Sequence, residues 1–139
     1  MRDQPDNRAG RPAAATHRVA AAGDLVDVRR SVAGFARTAG LVSNRVDKLV
    51  VALSEVATNA IMHGGGAATV TMARNKRQIV VTVSDSGGPG DGQFPPAGAS
   101  RPDPVGLGGR GLWITRQLCD EVTIDSLPAG TRVQLVMRL

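Results

Sequence analysis

The chain has 139 residues, 42% of them hydrophobic, and 17 Lys and Arg against 12 Asp and Glu give a net charge of +5. That length holds one domain with one core, and with two Phe, one Trp and no Tyr the core must come from Val, Leu, Ile and Ala. A single cysteine, Cys119, excludes an internal disulfide, two distant histidines show no zinc-type cluster, and no apolar run approaches the ~20 residues needed to span a bilayer.

The excess positive charge raises the question of nucleic acid, but the arginines are scattered and lack an aromatic stacking set, so direct nucleic-acid binding is not expected. The N-terminal run MRDQPDNRAGRP has no apolar signal core, so a cytoplasmic protein with no membrane segment is expected. Residues 1–15 mix Pro, Arg, Asp and Gly with an Ala run and no hydrophobic alternation, which predicts a disordered tail ahead of a domain over 16–139.

Residues 16–22 are read as an edge strand. Asp24 then caps a helix running to about Ala39, with Leu25, Val28, Val32 and Phe35 on one face, and Gly40 ends it. Ser43 is a cap for a second helix that runs to His63, where Gly64, Gly65 and Gly66 break the chain. Two β-branched runs, 68–74 and 78–84, flank Asn75, Lys76 and Arg77 as a hairpin. From 86 to 109 there are eight Gly and five Pro in 24 residues, which predicts a long loop, and long loops in compact domains commonly serve as lids. A helix follows from about Gly109 to Cys119, then strands over 122–126 and 131–138.

Chemistry concentrates in three places. In the second helix, Glu55, Asn59 and His63 recur at four-residue spacing and drift by only about 40° per step, so they share one stripe. Val46, Leu49, Val50, Leu53, Ala57, Ala60 and Ile61 fall on the other side as a core face. A polar stripe of this kind is usually a solvated surface, yet Asn is a poor residue for mid-helix, and a carboxylate with an amide oxygen suits a hard cation carried by phosphates. His63 fits equally well as a complement to the last helical carbonyls.

Asp85 closes a strand and is followed by Gly87, Gly88 and Gly90. Its carboxylate would accept a hydrogen bond from an exocyclic amine and so favour adenine over guanine, or it simply opens a turn. The cluster G106-L-G108-G109-R110-G111 opens a helix, whose exposed amides attract phosphate, and Arg110 adds a fork of donors. The same cluster satisfies G-x-G-x-x-G, with Asp125 nineteen residues after Gly106, but Arg101-Pro102-Asp103-Pro104 cannot form the strand that a dinucleotide fingerprint needs ahead of it. That match is read as a decoy.

Taken jointly, these runs resemble a known family. S54-E55-V-A-T-N59-A-I-M-H63 is similar to the N box of the Bergerat-fold (GHKL) ATPases, the group of gyrase, heat-shock chaperone, histidine kinase and mismatch-repair ATPases. D85-S-G87-G-P-G90 resembles the first glycine box, G109-R-G111-L-W-I the second, and G130-T131-R-V the Gly-Thr step before the last strand. The run GRGLWITRQLCDEVTIDS most resembles the anti-sigma-factor serine kinases and related small actinobacterial ATP-binding regulators. One departure stands at 89, where the family's usual spacing places a glycine and this chain has Pro89.

The resemblance implies an α/β two-layer sandwich, with helices on one face of a mixed or antiparallel sheet and a lid over about 86–109. It implies ATP with Mg²⁺ as ligands: Asn59 holding Mg²⁺, Glu55 as general base, and Asp85 on the adenine amine with Thr131 beside it. Gly87 and Gly90 would leave space for the ring, Gly109 and Gly111 would supply phosphate-binding amides, Arg110 would touch the terminal phosphate, and Gly108 and Leu112 would complete the nucleotide-binding set. The expected function is an ATP-dependent serine/threonine protein kinase acting as an anti-sigma factor by partner switching. It would bind a sigma factor, phosphorylate a STAS-type antagonist and form a homodimer. The alternative is a non-catalytic regulator in which ATP gates a protein interface.

Overall fold

The computed structural model describes residues 13–63, 65–85, 107–128 and 130–139. In chain order the elements are β1 (Ala13–Val19), α1 (Ala22–Ala39), α2 (Ser43–His63), β2 (Ala68–Arg74), β3 (Gln78–Asp85), α3 (Leu107–Leu118), β4 (Glu121–Leu127) and β5 (Gly130–Arg138). The five strands form one sheet in the order β1-β2-β3-β5-β4, and every neighbouring pair is antiparallel.

Helices cover one face of this sheet. β2 and β3 alternate, burying Ala68, Val70 and Met72 and then Ile79, Val81 and Val83, as expected of strands with one covered face. On the other face Thr71, Thr82, Gln134 and Thr123 stand opposite one another as a polar cross-strand row. α2 packs across β2, β3 and β5, while α1 packs on β1, β2 and α2. Leu49 and Leu53 of α2 meet Val28 and Val32 of α1 and Leu135 and Met137 of β5 in one cluster of fully buried side chains. Burying each such side chain contributes about 1.5–3 kcal/mol, so the apolar face of α2 is the main anchor of the helical layer.

Local chemistry explains the boundaries. Asp24 does cap α1, from inside the first turn: its carboxylate accepts the backbone N–H groups of Ala20 at 2.9 Å and Ala21 at 3.1 Å, so the helix starts at Ala22, ahead of the expected cap position. Gly40 ends α1 at φ 102°, with the N–H groups of Gly40 and Leu41 returning to the carbonyls of Arg37 and Ala36 at 3.0 Å each. In the β2–β3 hairpin, Asn75 Oδ1 accepts from the N–H groups of Arg77 and Gln78, the local bonding that makes asparagine a turn residue. β1 starts at Ala13, three residues before the expected strand, because its seven residues all pair with β2. α3 starts at Leu107, two residues before the expected Gly109.

Candidate functional site

The topology sends the singled-out residues to one end of the sheet. α2 ends at His63, and β2 begins five residues later at Ala68, which pairs with Asp85, the last residue of β3. Across β3 and β5, Ser84 pairs with Arg132, so Thr131 lies next to Asp85, and its N–H donates to Asp85 Oδ1 at 3.3 Å. The far end of the sheet holds Arg74, Gln78, Arg138 and Glu121. α3 leads directly into β4 at that far end and packs along α2. Its N-terminal turns are therefore directed away from that far end.

Asn59 is the informative residue. The sequence places it on a polar stripe, but it is 3% exposed, and its Oδ1 is buried with no hydrogen-bond partner among the described residues. A buried amide oxygen left unpaired costs roughly 1–3 kcal/mol, so a solvated-surface reading does not hold for Asn59. Glu55, one turn earlier on α2, is half-buried. An orphaned amide oxygen beside a carboxylate has the donor chemistry of a magnesium site completed by phosphates and water. No three His, Cys, Asp or Glu gather to hold a metal by themselves among the described residues.

Asp85 is half-buried and Thr131 buried at 7% exposure. The backbone bond from Thr131 fixes one carboxylate oxygen, orienting the group at the sheet end. Gly108, Gly109, Arg110, Gly111 and Leu112 all fall within the first two turns of α3. With the helix starting at Leu107, the amides of Gly108 and Gly109 precede the first i to i−4 bond, whereas those of Arg110 and Gly111 begin the ladder. The side chains of His63 and 107–112 lie outside the described residues, as do Gly87, Gly90 and most of the expected lid. The decoy reading of the dinucleotide match is supported, since no strand pair among the described residues is parallel, and Asp125 faces Arg132 across β4 and β5 with a 3.4 Å ion pair.

Sequence reasoning missed a polar cluster at the opposite end. Arg45, in the first turn of α2, donates to Asp120 Oδ2 at 2.5 Å and to the Arg138 carbonyl at 2.8 Å. Asp120 Oδ2 also accepts the Arg138 N–H at 2.6 Å, and Arg138 pairs with Glu121. Partial desolvation pulls the Asp120 carboxyl upward, but the Arg138 N–H and the Arg45 guanidinium outweigh it and hold the group below its ordinary value. Beside it Cys119 is buried, and desolvation, reinforced by the Asp120 charge, pushes its thiol up to about 12. These partners are up to 93 residues apart in sequence, so no local pattern announces them.

With the geometry in place, the comparisons converge. The pattern of the histidine kinase-like ATPase domain matches residues 19–137. The chain is 28% identical over 117 residues to an anti-sigma F factor of Clostridium acetobutylicum, covering 79% of this chain and 80% of that protein. It is 28% identical over 112 residues to the serine-protein kinase RsbW of Bacillus pumilus, covering 71% of this chain and 69% of that one. Among solved structures, the RsbU and RsbW domains of Rv1364c from Mycobacterium tuberculosis superpose with a TM-score of 0.65 at 22% identity, over 92% of this chain. This chain spans only 32% of that longer one, and at such identity the likeness concerns the fold. No helix among the described residues is long and apolar enough to cross a membrane.

Proposed function

Because the chain belongs to the histidine kinase-like ATPase domain family, we propose that it binds ATP with Mg²⁺ and transfers the terminal phosphoryl group to a serine or threonine of a protein. In this reading it is an anti-sigma factor of a partner-switching system. It sequesters a sigma factor, phosphorylates a STAS-type antagonist and acts in the cytoplasm as a homodimer. The names of the two relatives support a sigma factor as partner and a protein serine as acceptor.

The observation that carries the reading is the buried, unpartnered Oδ1 of Asn59 one turn from Glu55. A buried amide oxygen without a protein partner is an acceptor suited to a bound cation or its water shell. Asn59 would hold the cation through this oxygen. Mg²⁺, when bound, supplies charge neutralisation on the triphosphate. Asp85, oriented by the Thr131 N–H, would accept the adenine amine, with Gly87 and Gly90 beside the ring. Gly108 and Gly109 would direct free amides, and Arg110 its guanidinium, to the phosphates at the start of α3, with Gly111 and Leu112 in the turn behind them. Glu55 would take the proton of the acceptor hydroxyl as its oxygen bonds to phosphorus and ADP leaves.

The test is transfer of label from the terminal phosphate of ATP to a cognate antagonist. Wild type is expected to label it, Glu55→Ala to bind MgATP yet leave it unlabelled, and Asn59→Ala to lose MgATP binding. Tight MgATP binding with no transfer to any such antagonist rejects the kinase and leaves the ATP-gated binding module. No MgATP binding rejects both.

A further inference from the structure

The polar cluster far from the candidate site has a geometry that points back to it. Asp120 sits two residues beyond the C-terminal end of α3, and Arg45 lies in the first turn of α2. One carboxylate oxygen, Asp120 Oδ2, joins the Arg45 guanidinium to the Arg138 N–H, and Arg45 closes the ring on the Arg138 carbonyl. The Asp120 N–H donates to the Val136 carbonyl at 2.9 Å, so backbone and side chain are both tied to β5. The Arg45 and Asp120 side chains are 30% and 27% exposed, so the pair is partly solvated, and what sets it apart from a lone surface ion pair is the Arg138 N–H sharing the same carboxylate oxygen. Three elements are thus pinned at one point.

The expected ligand groups lie at the other ends of the same two helices. Asn59 is fourteen residues from Arg45, about 21 Å along α2. Thr131 is seven residues from Arg138, roughly 23 Å along β5. α2 and the sheet are joined by the core, whereas α3 touches the sheet mainly at β4 and packs chiefly on α2. A short helix held at one end by a clamp moves most at its other end, and in α3 that other end is the glycine-rich start.

We propose that Arg45, Asp120 and Arg138 form a positioning clamp that sets α3 against α2, so that the phosphate-binding start of α3 is aligned with Asn59 by a contact at the opposite end of the helix pair. The proposal rests on the ATP reading above. The clamp touches no ligand. It divides the ligand's affinity in two: the adenosine part is held by Asp85 and Thr131 on the sheet and is independent of α3, while the phosphate part depends on where α3 begins.

Calorimetric titrations of MgATP and of adenosine, well below the melting temperature of each protein, test it with wild type, Asp120→Ala, Asp120→Asn and Arg45→Met. Asp120→Ala and Arg45→Met are each expected to weaken MgATP about tenfold and adenosine less than twofold, and the double variant to be no worse than either single one. Asp120→Asn keeps size and an acceptor, so it is expected to show the same split at smaller amplitude, which covers the case in which Asp120→Ala fails to fold. Amide hydrogen exchange over 113–118 is expected to quicken in the variants without a matching change in α2. A parallel fall for both ligands marks general destabilisation and overturns the clamp, as does no change for either. If wild type binds adenosine and MgATP but the variants show no split, only the clamp fails. If wild type binds no MgATP, the ATP reading fails and the clamp with it.

Discussion

Asn59→Leu separates stability from ligand binding at a single residue. Asn59 is 3% exposed, and its buried oxygen has no partner among the described residues, a burden of roughly 1–3 kcal/mol on the fold without a ligand. Leucine removes that oxygen, raises helix propensity by a few tenths of a kcal/mol and adds apolar contact beside Val56 and Ala60. Against this stands the misfit of a longer, branched side chain in a packed site shaped for an amide, which costs roughly 1 kcal/mol or more where the neighbours cannot adjust. The net expectation is a gain of about 1 kcal/mol, or roughly 3–5 °C in Tm for a domain of this size. Wild type with ligand at 100 times its Kd gains about 2.7 kcal/mol through linkage, whereas the variant gains none. Scanning calorimetry with and without MgATP reads both effects. A variant that melts lower than wild type without ligand refutes the claim that the oxygen is a burden, and one that keeps the MgATP shift refutes its role as a ligand.

Gly34 is exposed in mid-α1, and a Cβ built there meets nothing within 4 Å, so Gly34→Ala is expected to stabilise by about 0.5–1 kcal/mol in urea unfolding. The Asp120 carboxyl is held below its ordinary value of 3.8, so its contribution is present above that value and is lost as pH falls through the lower folded-state value. Asp120→Asn is therefore expected to be less stable than wild type at neutral pH and to converge with it in acid, as read by urea midpoints from pH 7 to 2. The Cys119 thiol, pushed up to about 12, is expected to resist alkylation at pH 8 and to react only as fast as the domain opens, so labelling should accelerate in step with added denaturant. Glu121→Gln removes an exposed ion pair with Arg138 and is expected to change stability by less than about 0.5 kcal/mol.

Much of this protein was legible in one dimension because its signals are local. The 3.6-residue recurrence from Val46 to Ile61 marks the buried face of α2, and the alternation in 68–74 and 78–84 marks the hairpin within a residue. Asn75 and Gly40 carry their own turn and cap chemistry. Glu55, Asn59 and Asp85 stood out by type and spacing, whereas Thr131 came only with the family resemblance, which rested on short runs of the same kind.

Tertiary structure decided what spacing leaves open. A four-residue interval says that Glu55 and Asn59 share a stripe, but whether that stripe meets water depends on what α2 packs against, and burial turned Asn59 from a surface amide into an orphaned acceptor. Strand order brought Thr131 to Asp85 across 46 residues, and chain return brought Arg138 to Arg45 across 93. Periodicity reports the direction a side chain takes from its own backbone. The partner it meets there is set by chain closure over long separations, which no window of neighbouring residues contains.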